Sequence, residues 1–355
     1  MKPFLDGFGE MQARFRAFWR MENRRPLIHA RLDTTLPPPA APGTAEGLEA
    51  WHLDAREVFR RARAQACGGC YPGIAEEFPF YFPFAPYPAF FGAEPVFMAN
   101  TIWHRPMPES EDFYGRIAFR EDNPWWRKSV AMYRELVDLA DGHFFLSIPT
   151  FWGPLDALEG MRGSTGLCLD LVDRAEEVLA AQSRMLEAWR RHYDVFQGIL
   201  ASRFDGGATS FLPIWCPGRG FCIQCDFSGM LSEEMFDRFV APEVEAQAAW
   251  VDYAFYHLDG PGAARHAERL VRIPRLHGIQ WQKGANGGPT LRWLPLLQRI
   301  QRAGKRILVD GSPEEIEELS RKLEPQGLFL ATSFRTRADA EEFMRRLERR
   351  FGACS

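Results

Sequence analysis

Along the last two thirds of the chain, short apolar runs alternate with longer segments of helical period. The runs lie at His143–Ile148, Thr209–Ile214, Phe221–Cys225, Ala254–His257, Gly278–Trp281, Arg306–Val309 and Leu328–Thr332. Each is too short for a typical helix, and bounded apolar runs of this length read as buried strands. Between them, Pro124 to Leu139 reads as a helix. So does Ala175 to Leu200, with Val178, Met185, Trp189, Phe196 and Ile199 on one face. Ser312-Pro313-Glu314-Glu315 is a capping box with proline at the first helical position, and Ser232 and Thr336 are further N-cap candidates. Strands joined by helices build a parallel sheet. With Pro26–Leu32 near the N-terminus the strands come to about eight, the number in a (β/α)8 barrel. A chain of 355 residues suits one such barrel, and an open doubly wound sheet is the second choice. No strand is followed by a glycine-rich dinucleotide fingerprint, and there is no Walker P-loop.

The first 122 residues have a different texture. Met11–Met21 and Asp54–Ala66 read as helices, and Leu36–Gly43 (LPPPAAPG) as a surface loop. From Cys67 to Pro108 the pattern is irregular and aromatic, with the run FPFYFPFAPYPAFFG. Proline interrupts regular structure there, so a long ordered loop is expected, and such loops are often functional. Residues 1–122 are therefore expected to form an N-terminal extension with an aromatic, proline-rich segment over the barrel mouth. Residues 123–355 would be the main part of a single barrel.

The net charge of −4 offers no basic excess for a nucleic acid or an anionic membrane. The least charged stretch, Tyr81–Ala99, holds four prolines and is no candidate for a transmembrane helix. The N-terminus lacks the apolar core and cleavage site of a signal peptide, and the seven cysteines are odd in number. These features point to a reducing, cytoplasmic setting with free thiols.

In a barrel the chemistry sits at the C-terminal ends of the strands. That rule selects Trp152, Trp215, Cys225, His257, Asp259, Trp281, Asp310 and Thr332–Phe334. His257 and Asp259 are two apart on an extended segment and point the same way, so they can share a metal or a proton. The alternative is that Asp259 caps the helix that follows and His257 bonds to the backbone. Cys222-Ile223-Gln224-Cys225 pairs with Cys67 and Cys70 in a possible all-cysteine zinc site, but a single thiol or acid at the strand end, Cys225 or Asp226, fits the flanking sequence better. His257, Asp259 and Cys225 form an acceptable three-ligand zinc set with one position open. His257, Asp259 and Asp226 are the candidate catalytic groups. Aromatic residues make up 14% of the chain, and Trp103, Trp152, Trp215, Tyr256 and Trp281 are the candidates to line a substrate pocket.

Three patches resemble the uroporphyrinogen decarboxylase superfamily, which includes corrinoid-dependent methyltransferases. They are Met161-Arg162-Gly163 with Leu169-Asp170-Leu171, the stretch Asp226–Phe236 running into Phe239 and Pro242, and His257-Leu258-Asp259-Gly260 with the Gly278–Trp281 strand. The resemblance implies a (β/α)8 barrel with an N-terminal extension over its mouth. The Gly-Arg-Tyr-Leu-Pro type motif of the tetrapyrrole decarboxylases is missing, which leaves the methyltransferase-like branch. Zinc methyltransferases of that branch carry His-x-Cys at the strand end; here His257 matches the histidine and Asp259 stands in place of the cysteine. A carboxylate in place of a thiolate makes a harder site, suited to polarising an ether or carboxylate oxygen. The resemblance thus implies transfer of a methyl group from a small, methoxy-aromatic type of donor to a separate small corrinoid protein, which would bring the cobalamin. The alternatives are a metal-independent decarboxylase or lyase of the same fold, and a non-catalytic barrel that binds an aromatic compound or tetrapyrrole.

Overall fold

A computed structural model describes residues 8–32, 40–68 and 80–351. Its strands in chain order are β1 (Leu27–Leu32), β2 (Phe80–Tyr81), β3 (Glu94–Phe97), β4 (Ile102–Arg105), β5 (Phe145–Leu146), β6 (Gly207–Ala208), β7 (Trp215–Cys216), β8 (Gly220–Gln224), β9 (Tyr253–Asp259), β10 (Leu276–Gln282), β11 (Arg306–Asp310) and β12 (Leu328–Phe334). Six of them form one parallel sheet in the order β1-β12-β11-β10-β9-β8. Helices connect them, so the fold is α/β, as the alternation implies.

Among the described residues the hydrogen bonding does not close into a ring. β2 and β5 form a separate two-stranded parallel pair, extended by a bridge between Phe84 and Thr150. Pro83, Pro86 and Pro88 lack the N–H a longer β2 would need. The expected strand at Thr209–Ile214 is a turn instead, with Ser210 in the left-handed region at φ 50°, between the antiparallel partners β6 and β7. The first 122 residues contribute to the sheet as well as covering it: β1 pairs with β12 from Leu27↔Phe329 to Leu32↔Phe334.

Side chains on each strand alternate between two layers. Leu27, Phe329, Leu308, Phe255 and Cys222 point into an inner core, which also holds Phe145 from β5. Ile28, Leu330, Val309, Ile279, Tyr256 and Ile223 point outward, under the helices. The inner layer is closed at the N-terminal ends of the strands by the helix Phe8–Arg20. Phe15 and Phe18 of that helix meet Phe329 and Phe255, and Trp19 lies 4.7 Å from the Tyr253 ring. The opposite end stays open.

The aromatic segment is pinned by one residue. Asn123 caps the helix Pro124–Ala140, its Oδ1 accepting from Trp125 N and Trp126 N, while its Nδ2 donates to the carbonyls of Ala89 and Phe90. The capping box at Ser312 and the caps at Ser232 and Thr336 form as expected. No described helix is long and apolar enough to cross a membrane.

Candidate functional site

A cavity of about 730 Å³ opens at the C-terminal ends of the strands. Its wall includes His257 from β9, Gln280 and Gln282 from β10, Asp310 from β11, and Phe80–Phe84 from the aromatic segment. Register sets the wall: Gln224, His257 and Gln280 stand side by side on neighbouring strands, so all three point inward.

Beside this cavity, Asp226, His257 and Asp259 each bring one ligand-capable atom to within 4.8 Å of the others. His257 Nδ1–H donates to Gln280 Oε1 at 2.7 Å, since that oxygen carries no proton. The bond turns Nε2 toward Asp226, whose Oδ1 lies 3.9 Å away. Asp259 does not cap the next helix: it makes no side-chain cap bond, and its buried Oδ1 has no hydrogen-bond partner. A buried carboxylate oxygen left unpaired beside an imidazole and a second carboxylate is the arrangement that a divalent cation would satisfy.

Asp226 comes from the short 3-10 turn Asp226–Met230 that follows β8, and Asp156 holds that turn. Asp156 Oδ2 accepts from Asp226 N at 3.0 Å and its Oδ1 from Phe227 N at 3.1 Å. Burial, reinforced by the charge of Asp226, pushes Asp156 up to about 7 although both backbone bonds oppose the shift. Asp226 is also raised. Crowding by protein around the mouth is the main cause, with Asp259 adding to it and His257 opposing it. Its side chain is still 55% exposed, so this carboxylate is open to a ligand.

Strand alternation settles where the other candidate residues lie. Cys225 falls between the inward-facing Gln224 and Asp226, so its thiol faces the helix side. It is buried there beside Asp156 and Glu243 and raised well above an ordinary thiol by desolvation. It is not in the His257 cluster, and Asp226 takes its place. Cys222 points to the inner core and Cys225 to the outer one, so the two cannot act as one pair; Cys70 and the side chain of Cys67 lie outside the described residues. Tyr256 and Trp281 likewise neighbour inward-facing residues and pack under the helices, Trp281 with its ring 4.5 Å from that of Trp293. Trp215 sits at the closed end, its backbone oxygen accepting from Trp19 Nε1. Trp103 is 56% exposed on the β3–β4 hairpin. Trp152 packs on Gly160 and the His104 ring. None of the five lines the cavity. Its aromatic wall is Phe80, Tyr81, Phe82, Phe84 and Phe211; Phe78, expected on the rim, lies outside the described residues. Gln280 and Asp156 went unrecognised in the sequence, and only the alternation that marks Gln280 as inward-facing was there to be read.

No protein-family model matches the chain, and no curated protein matches it. Among solved structures, a methyltransferase from Methanosarcina mazei is similar over 97% of this chain and 99% of its own, with a TM-score of 0.59 and 10% sequence identity. At that identity the likeness is one of fold.

Proposed function

We propose that this chain is a methyl-transferring enzyme of the methyltransferase-like branch of the uroporphyrinogen decarboxylase superfamily. In this reading the six-stranded sheet belongs to a (β/α)8 barrel, with β2 and β5 opposite the arc. The inner core supports it, because Phe145 of β5 packs with side chains from β1, β8, β9, β11 and β12. The full-length likeness to a methyltransferase fold agrees with the assignment.

One observation carries the functional part: Asp226, His257 and Asp259 converge at the strand ends, with an imidazole nitrogen oriented by Gln280 and a carboxylate oxygen lacking a partner. These residues would hold zinc through one nitrogen and two oxygens, leaving a position open. Bound there, the ion would supply Lewis acidity to an ether oxygen. The chain's own groups do the rest. Gln280 holds the imidazole in the Nδ1–H tautomer and frees Nε2. Asp156 fixes the turn that carries Asp226. Phe80, Phe82, Phe84 and Phe211 offer apolar wall to the body of a small methoxy-aromatic donor and exclude water from it. The methyl group would pass to a separate small corrinoid protein that carries the cobalamin, with the donor oxygen keeping the bonding pair and taking up a proton.

The raised Asp226 carboxyl beside His257 favours a second reading, a metal-independent lyase in which Asp226 carries the proton. Turnover of a methoxy-aromatic donor with cob(I)alamin as acceptor separates the two. Methylcobalamin should form with the wild type in the presence of zinc and fail to form with His257→Ala. Wild-type protein that forms none, or His257→Ala that keeps wild-type turnover, would overturn the methyl-transfer reading.

A further inference from the structure

Among the described residues the cavity wall carries the cations Arg31, on β1, and Arg61, on the helix Ala55–Gly68, with Asp310 of β11 as its acid, while Asp226 and Asp259 stand beside it at the ends of β8 and β9. Arg31 ends the inward-facing series of β1, two residues after His29. Among the described residues no hydrogen bond or ion pair ties its guanidinium, though Asp310 on the same wall senses its charge. Arg61 is fixed: its guanidinium lies 4.1 Å from the Trp51 ring centroid and donates to the Trp51 carbonyl. Its side chain is only 16% exposed, Glu57 lies 3.8 Å from its Nε, and the buried Nε–H has no hydrogen-bond acceptor. An arginine without an ion pair, beside a second guanidinium held in place on the same cavity wall, is a site for an anion.

We propose that Arg31, supported by Arg61, binds the carboxylate of the substrate, so that the cavity selects aryl carboxylates. The assignment rests on the reading of this cavity as the substrate site. β9 and β1 are four strand steps apart, about 19 Å along the sheet at ~4.8 Å per step. The chord across a curved sheet is shorter, and side chains reach in from both ends, leaving the span of a one-ring molecule. Phe80, Phe82 and Phe211 line the same cavity. A planar carboxylate matches the guanidinium fork, whose two N–H groups bind it side by side.

Calorimetric titration of metal-stripped full chain tests this without any turnover, so its outcome is independent of the methyl-transfer reading. The probes are 4-methoxybenzoate, its neutral amide, and 4-methoxyphenyl phosphate. The benzoate should bind at least about tenfold tighter than the amide, or ~1.4 kcal/mol. Arg31→Gln should bring the two within about twofold, and Arg31→Lys should keep part of the preference. Arg31→Lys keeps the test decisive if Arg31→Gln fails to fold: full preference in it would place the recognition elsewhere. Equal binding of benzoate and amide by the wild type, or an undiminished ratio in Arg31→Gln, would overturn the proposal. Tighter binding of the aryl phosphate than of the benzoate would also overturn it, in favour of a phosphate site.

Discussion

Replacing Asp156 by asparagine should change how stability depends on pH. In the fold, burial and the Asp226 charge raise this carboxyl from its ordinary 3.8 to about 7. A group raised by folding contributes stability fully at pH values below its unfolded pKa, and that contribution is lost as pH climbs through the folded one. The window for Asp156 is therefore about pH 4 to 7. Between pH 5 and pH 8.5 the wild type should lose about 3 kcal/mol to this residue. Asparagine does not ionise and loses none of it. Its amide oxygen still accepts from Asp226 N or Phe227 N, so the substitution carries a pH-independent cost of roughly 1–2 kcal/mol. Urea unfolding of both proteins at pH 5 and pH 8.5 isolates the effect. The difference between variant and wild type should shift toward the variant by about 3 kcal/mol at the higher pH. A difference that is equal at both pH values would refute the account of Asp156 as a carboxylate ionised against its surroundings.

Gln280→Leu removes the acceptor for His257 Nδ1–H and should weaken zinc binding about 10- to 100-fold, read by competition with a chelator; unchanged affinity would contradict the role given to Gln280. Trp281→Phe should cost roughly 1–3 kcal/mol in urea unfolding but leave aryl carboxylate affinity intact, because the indole packs against Trp293 and not in the cavity. Phe18→Ala at the closed end should cost about 3–5 kcal/mol, with binding at the open end preserved; a negligible loss would mean the N-terminal helix is not part of the core.

The sheet from β8 to β12 was readable to within about two residues, because each strand is a bounded apolar run between helices with chemical start signals. The turn at Thr209–Ile214 was not, since an apolar run does not reveal a left-handed Ser210. The site was half legible. His257 and Asp259 share a face by the two-residue period, and that same period places Tyr256, Cys225 and, through register with β9, Trp281 on the other face. An aromatic residue near a strand end faces the cavity only if it falls on the inward phase of that period, which Tyr256 and Trp281 do not. Gln280 depends on which strand neighbours β9, and Asp156 on a contact across 70 residues of sequence. Arg31 depends on β1 joining the far edge of the sheet beside β12. Those facts are tertiary, and no local pattern carries them.

The metal content of the purified chain bears most directly on the central claim that Asp226, His257 and Asp259 form a divalent-cation site. Protein prepared without chelators and analysed by inductively coupled plasma mass spectrometry should contain near-stoichiometric zinc, while His257→Ala and Asp259→Asn, folded by circular dichroism, should contain almost none. Wild-type protein that carries no zinc and takes none up on titration, or variants that retain the wild-type content, would contradict it.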